Sequence, residues 1–263
     1  MKLAFVFPGQ GSQSVGMLRD YLDLPVVRTT IDEASSALGQ DLFALVENGP
    51  EEALNQTTNT QPIMLAADIA VYRAWQALGG PAPVLAAGHS LGEYAALVAG
   101  GALGFAEAMK LVRVRADAMQ QAVPEGQGGI AAILGLDADQ VAAACAEAAG
   151  GEVVSPANLN APGQIVIAGG KAAVGRAIEA CKARGAKRAV LLPMSVPSHC
   201  ALMRPAAETL AGALAGIALK SPAFPIINNV DVREATTPAE IADALVRQLY
   251  CPVRWIEIVA AMQ

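Results

Sequence analysis

The apolar positions fall into short unbroken runs that end on turn residues, separated by longer stretches with helical spacing. Leu3–Phe7 is such a run, closed by Pro8-Gly9-Gln10-Gly11-Ser12, and a short run bounded this way predicts a buried strand. Pro83–Ala87 is a second, ending at Gly88. Between them, Thr29–Val46 and Pro50–Asn55 read as short helices. Pro62 stands where proline favours a helix start, and helical periodicity runs over Ile63–Leu78. A helix is expected from Leu91 to about Val98 and another from Phe105 to about Val123. Strand, sharp turn and helix in that order mark an α/β protein with a parallel sheet.

The middle of the chain changes character. Strands are expected at Ile130–Gly135, Glu152–Leu159, Gln164–Gly169 and Lys187–Met194, with helices at Ala138–Ala149 and Lys171–Arg184. The order βαββαβ is the split βαβ, or ferredoxin-like, pattern. Segments of the first kind then resume, with a strand at Pro222–Asn229 and a helix over Pro238–Tyr250. The expected organisation is therefore a large α/β catalytic subdomain of 1–125 and 196–263, carrying an inserted ferredoxin-like subdomain at 126–195.

Composition narrows the classes of function. Hydrophobic residues make up 54% of the chain and charged ones 16%, which suits buried strands covered by helices. A net charge of −6 speaks against a nucleic-acid partner. No apolar run reaches the roughly 18 residues of a membrane span. The longest candidate, Ala95–Ala106, is bounded by Glu93 and Glu107 and interrupted by glycines, and Leu3–Phe7 is too short for a signal peptide. The four cysteines contain no C-x-x-C pair and there are only two histidines, so no metal site is expected. These features point to a soluble protein of the reducing cytoplasm.

Gly88-His89-Ser90-Leu91-Gly92 fits G-x-S-x-G, the strand-to-helix elbow that exposes a nucleophilic serine. The competing reading is a serine that merely caps a helix; the strand before it and the helix after it favour the elbow. A serine hydroxyl needs a base to accept its proton as it attacks. His89 is the adjacent residue, whose side chain diverges from that of Ser90 at so tight a turn, and it reads as a packed histidine. His199 is then the eligible base, in a loop where the chain leaves the insertion. Asp231 is the main acidic candidate to orient it, but nothing local supports the pairing, and the orienting group stays open.

The helix around 106–122 carries a stripe of Ala108, Leu111, Val112, Arg115 and Met119 at helical spacing, which puts Arg115 on the core-facing side. Arg113 lies on another face and reads as solvated. A guanidinium turned inward without a partner costs several kcal/mol, and its planar fork suits a carboxylate. One reading is a structural ion pair or a side chain reaching back to water. The other is a carboxylate that arrives with the substrate, on an acyl group with a free distal acid.

These residues also carry a family resemblance. Phe5-Val6-Phe7-Pro8-Gly9-Gln10-Gly11-Ser12-Gln13, the Ser90 pentapeptide with Glu93-Tyr94, and Val196-Pro197-Ser198-His199-Cys200 resemble malonyl-CoA:acyl carrier protein transacylases of bacterial type II fatty acid synthesis. Asn158-Leu159-Asn160-Ala161-Pro162-Gly163-Gln164 and Asn228-Asn229-Val230-Asp231 extend the match. The resemblance implies an α/β-hydrolase-like core with a ferredoxin-like insert. It implies that Ser90 takes malonate from malonyl-CoA and passes it to the phosphopantetheine thiol of acyl carrier protein, with His199 as base and later acid. It further implies an oxyanion hole from the backbone amides of Gln10 and Leu91, and Arg115 as the grip on the malonyl carboxylate. The main-chain carbonyl of Gln248 would orient the histidine, and Gln61, Asn158 and Asn160 would line the cleft. The protein would act as a monomer with no cofactor of its own, phosphopantetheine being carried by the partner.

Two features depart from that pattern. Members of the family continue for some tens of residues, with another core strand, so a shortened chain with an uncovered sheet edge is expected here. Transferases of modular polyketide synthases that select malonate often carry Phe before the histidine, where this chain has Ser198. The basic cluster Lys182, Arg184, Lys187 and Arg188 is either a solvated face or a docking patch for acidic carrier protein. A serine hydrolase, a non-catalytic carrier-binding subunit and a transferase of another acyl group are the rival readings.

Overall fold

A computed structural model describes residues 2–193 and 196–263. Met194, the expected end of the strand Lys187–Met194, and residue 195, the expected end of the insertion, lie outside the described residues. In chain order the strands are β1 (Ala4–Phe7), β2 (Leu85–Gly88), β3 (Gly128–Leu134), β4 (Val154–Ala161), β5 (Gln164–Gly170), β6 (Arg188–Leu191) and β7 (Ile226–Ile227). The helices are α1 (Pro25–Leu38), α2 (Leu42–Asn48), α3 (Glu51–Leu54), α4 (Thr57–Ala77), α5 (Gly92–Ala99), α6 (Phe105–Ala122), α7 (Ala138–Ala148), α8 (Lys171–Ala183), α9 (Arg204–Leu214), α10 (Pro238–Gln248) and α11 (Trp255–Ala261). Packing groups Met1–Asp117, Gly212–Asn228 and Arg233–Ala242 into one compact unit, and Ala118–Ala211, Asn229–Val232 and Asp243–Gln263 into another.

The first unit holds a parallel sheet of order β1-β2-β7, with Phe7 opposite Gly88 and Ala87 opposite Ile227. Alanines 86 and 87 are fully buried, which lets helices approach the central strand closely. The strand expected over Pro222–Asn229 contracts to Ile226–Ile227. Prolines 222 and 225 have no N–H to give a ladder, although the Pro225 carbonyl accepts from Ala86 N–H at 2.9 Å. Beyond it, Asn228 N–H turns back to the Arg233 carbonyl at 3.0 Å.

The helix expected to start at Pro62 begins earlier, at Thr57, with Pro62 inside it. Polar side chains secure that extra turn. Thr60 Oγ1 donates to the Leu54 carbonyl at 2.6 Å, and Asn59 Nδ2 donates to the Ala53 carbonyl at 2.9 Å. The same helix buries Asp68, which is 8% exposed and whose Oδ2 has no hydrogen-bond partner among the described residues. Burial pushes its carboxyl from the ordinary 3.8 up to about 8. Between those values the folded chain holds a proton that the unfolded chain releases, so stability falls as pH rises through the interval. The slope is about 1.4 kcal/mol per pH unit, or roughly 2–3 kcal/mol from pH 6 to pH 8. Denaturant midpoints across that range should show this slope in the parent and a flatter profile in Asp68→Asn; parallel profiles would refute the assignment.

The second unit contains an antiparallel sheet of order β4-β5-β3-β6, its strands following the chain order βαββαβ with α7 and α8. Alternation along the strands separates two faces. Ala131, Ile133, Ile165 and Ile167 pack with Val141, Val174 and Ile178, whereas Ile130, Ala157 and Ala168 pack with Cys200. This unit also takes in 196–211, 229–232 and 243–263. Backbone bonds tie the last of these to β4, Leu159 N–H to Val253 O and Val253 N–H to Ala157 O, both at 2.9 Å. The four cysteines are free, and Cys145, Cys181 and Cys200 are buried. Among the described residues no helix is long and apolar enough to cross a membrane.

Candidate active site

In the first unit β2 ends at Gly88 and α5 starts at Gly92, leaving Ser90 to turn the chain with φ of 52°. An L residue in the left-handed region costs about 1 kcal/mol or more and persists where its surroundings fix it. Here they do. A Cβ on Gly88 would stand 1.9 Å from the carbonyl carbon and oxygen of Gly92, and one on Gly92 would stand 2.2 Å from the Phe7 carbonyl oxygen. Both glycines of the G-x-S-x-G pattern are therefore required by close backbone approach rather than by turn propensity. A Cβ on Gly9 would come within 2.5 Å of the His89 carbonyl oxygen, so the loop carrying Gln10 lies against the elbow carrying Leu91. Thr57 Oγ1 donates to Gln10 Oε1 at 3.0 Å.

The stripe on α6 is buried throughout, Arg115 included at 1% exposure. Its Nη1 donates to Gln61 Oε1 at 2.6 Å and its Nη2 to Ser90 Oγ at 3.2 Å. Gln61 on α4 is itself fully buried. The Tyr94 ring lies under the guanidinium, 5.5 Å from centroid to Cζ. Burial lowers the Arg115 pKa, and the neighbouring Tyr94 and Glu93 oppose that shift. Arg113 differs from its expected solvated state. It is half-buried, and its guanidinium donates to Gln40 Oε1. Tyr94 was not singled out by sequence reasoning, although its place one helical turn after Ser90 is a signal that could have found it.

In the second unit His199 is buried and has φ of 60°. Its backbone N–H donates to the Leu249 carbonyl at 2.9 Å, and its Nδ1 stands 2.7 Å from the Gln248 carbonyl oxygen. A carbonyl oxygen only accepts, so Nδ1 carries the proton and Nε2 keeps its lone pair. The carboxylate of Asp231 takes both Nη1 and Nη2 of Arg247, at 2.9 and 2.6 Å. Asn158 and Asn160 are half-buried at irregularities of β4, where the register with β5 shifts. In the basic cluster, Lys182 and Arg184 pair with Glu179 and Glu147, and Lys187 and Arg188 are exposed. The first unit thus brings Ser90, Arg115 and Gln61 together, and the second joins His199 to Gln248. Among the described residues no group of three or more His, Cys, Asp or Glu side chains could hold a metal ion.

A family model described as an acyl transferase domain matches residues 4–262. The chain is 59% identical over 264 residues to the malonyl CoA-acyl carrier protein transacylase of Salmonella typhimurium, covering 99% of this chain and 85% of that one. It superposes with a TM-score of 0.99 on the structure of the malonyl CoA-acyl carrier protein transacylase from Coxiella burnetii, at 53% identity, covering 100% of this chain and 83% of that one. A solved complex of a type II PKS acyl-carrier protein with its malonyl-transacylase matches with a TM-score of 0.98 and 57% identity, covering 99% and 84%.

Proposed function

The chain belongs to the acyl transferase domain family, and from that premise we propose that it moves malonate from malonyl-CoA to acyl carrier protein through a malonyl-Ser90 intermediate. Its relatives at 59% and 53% identity carry the name of that activity, and a relative at 57% identity is solved with a carrier protein. The observation that carries the reading is Arg115, a buried guanidinium within 3.2 Å of the elbow hydroxyl. A cation at that distance suits an acyl chain whose far end is a carboxylate.

Ser90 Oγ attacks the thioester carbonyl and its proton passes to Nε2 of His199, the nitrogen left with a lone pair by the Nδ1 contact to Gln248 O. Negative charge on the carbonyl oxygen is taken by the backbone N–H groups of Gln10 and Leu91; one such donor is worth about 10²–10³ in rate. Collapse of the tetrahedral intermediate expels the coenzyme A sulfur, which takes the proton from His199. The phosphopantetheine thiol then gives its proton to the same nitrogen and attacks malonyl-Ser90; the Oγ–acyl bond breaks, Ser90 Oγ takes the proton back from Nε2, and the carrier leaves as the malonyl thioester. Arg115, steadied by Gln61, holds the malonyl carboxylate throughout. Asn158 and Asn160 line the substrate's path, and the protein brings no cofactor to either step.

The proposed organisation is a hydrolase-like core of 1–125 and 196–263 with a ferredoxin-like insertion at 126–195; packing groups 196–211 and 243–263, which carry His199 and Gln248, with the insertion. The strand order β4-β5-β3-β6 with antiparallel pairing supports the insertion. Free cysteines support a reducing, cytoplasmic setting. Incubation with isotopically labelled malonyl-CoA should give a malonyl adduct on Ser90 that is discharged when holo-acyl carrier protein is added. Loss of the label to water at a rate indifferent to the carrier would reassign the protein as a hydrolase.

A further inference from the structure

A guanidinium can grip a carboxylate only if its plane is set before the carboxylate arrives, because an arginine free to swing loses the advantage of its fork. Arg115 reaches its position from α6 at the end of a long flexible side chain, where Nη1 bonds Gln61 and Nη2 bonds the nucleophile itself. The Ser90 bond cannot serve as a fixed support, since Oγ becomes an ester oxygen during the reaction. The Gln61 bond survives acylation but holds a single nitrogen, so setting the plane of the fork takes a further lasting constraint.

Tyr94 is placed to supply it. It lies on α5, one turn beyond Ser90, so the turn that aims the serine also fixes the ring. The side chain is fully buried and cannot rotate into solvent. Its ring centre is 5.5 Å from Arg115 Cζ, within the range of a cation–π contact. Burial pushes the phenol up to about 12, so it stays neutral, an oxygen beside the guanidinium that brings no competing negative charge. A carboxylate at this position would neutralise the cation and repel the substrate; a phenol does neither.

We infer that Tyr94 is a positioning residue that orients Arg115 and thereby sets the preference for acyl groups ending in a carboxylate. The inference rests on the reading of Arg115 as the malonyl grip. Tyr94 touches no reacting atom, and its influence passes through the guanidinium.

The test compares malonyl-CoA with acetyl-CoA as donors for transfer to holo-acyl carrier protein in the parent, Tyr94→Leu, Tyr94→Phe and Arg115→Ala. Tyr94→Leu removes the ring that faces the guanidinium, whereas Tyr94→Phe keeps it and removes only a hydroxyl that makes no hydrogen bond among the described residues. Tyr94→Leu should lower kcat/KM for malonyl-CoA about 5–10-fold, chiefly through KM, with acetyl transfer within about 2-fold of the parent, and Tyr94→Phe should keep the parental ratio. Acetyl transfer doubles as the control for folding, since a general disturbance would lower both donors alike. A malonyl-to-acetyl ratio unchanged by Tyr94→Leu but collapsed by Arg115→Ala would overturn the inference and leave the Arg115 reading standing. A ratio unchanged in both variants would remove the Arg115 reading itself.

Discussion

Ser90→Ala should fold like the parent, take up no malonyl adduct and lose at least about 10⁴-fold in transfer rate. The fold should survive because alanine meets the same backbone demand at φ of 52° as serine does, and the glycines that permit the turn are untouched. Arg115 loses the contact at 3.2 Å from Nη2 but keeps the one to Gln61. What disappears is the oxygen proposed to hold the acyl group between donor and acceptor. Direct attack of the carrier thiol on malonyl-CoA would remain, helped only by the oxyanion donors and by proximity. Intact-mass measurement after incubation with malonyl-CoA, alongside a thermal melt, decides the matter. An adduct forming on a folded Ser90→Ala chain at the parental rate would place the nucleophile elsewhere.

Arg115→Ala is the second large effect, and its direction depends on the donor. Malonyl transfer should fall by about 10²–10³, the usual range for removing one partner of a buried charge-assisted pair. Acetyl transfer should be spared, because its methyl group draws nothing from a guanidinium and loses nothing when the charge is removed. The lowered Arg115 pKa reflects the cost of holding that cation away from water, a cost that a carboxylate arriving with the substrate would offset. Steady-state rates with both donors test this. Equal losses would mean that Arg115 supports the elbow mechanically and does not read the substrate.

The pentapeptide and the stripe on α6 were legible because their signals are local. Two glycines around a serine, and an arginine in phase with Leu111 and Val112, depend on a few neighbouring residues and on helix geometry. The partner of the histidine was not legible from the residues. Gln248 acts through its carbonyl oxygen, which every residue possesses, so side-chain identity carries no trace of it; only the resemblance suggested the position. Asp231, the acid considered for that task, is held by Arg247. The early start of α4 depends on bonds from Thr60 and Asn59 to carbonyls of the preceding turn, and α9 and α11 were not anticipated. In Arg204–Leu214 and Trp255–Ala261 the helical pattern is short, and the neighbours that stabilise such segments are distant in sequence.

The four free cysteines acquire a meaning from the chemistry around them. An enzyme that shuttles an acyl group between two sulfur carriers works among nucleophilic thiols and activated thioesters, and any reactive sulfur of its own would intercept the cargo or form mixed disulfides with the carriers. Burial raises the pKa of all four, Cys145 to about 12 and Cys200 to about 11. At neutral pH the thiolate fraction at those two sites is about 10⁻⁴ or less, and thiolate is the form that reacts. The apolar packing that stabilises the second sheet thus also keeps Cys145, Cys181 and Cys200 out of the exchange.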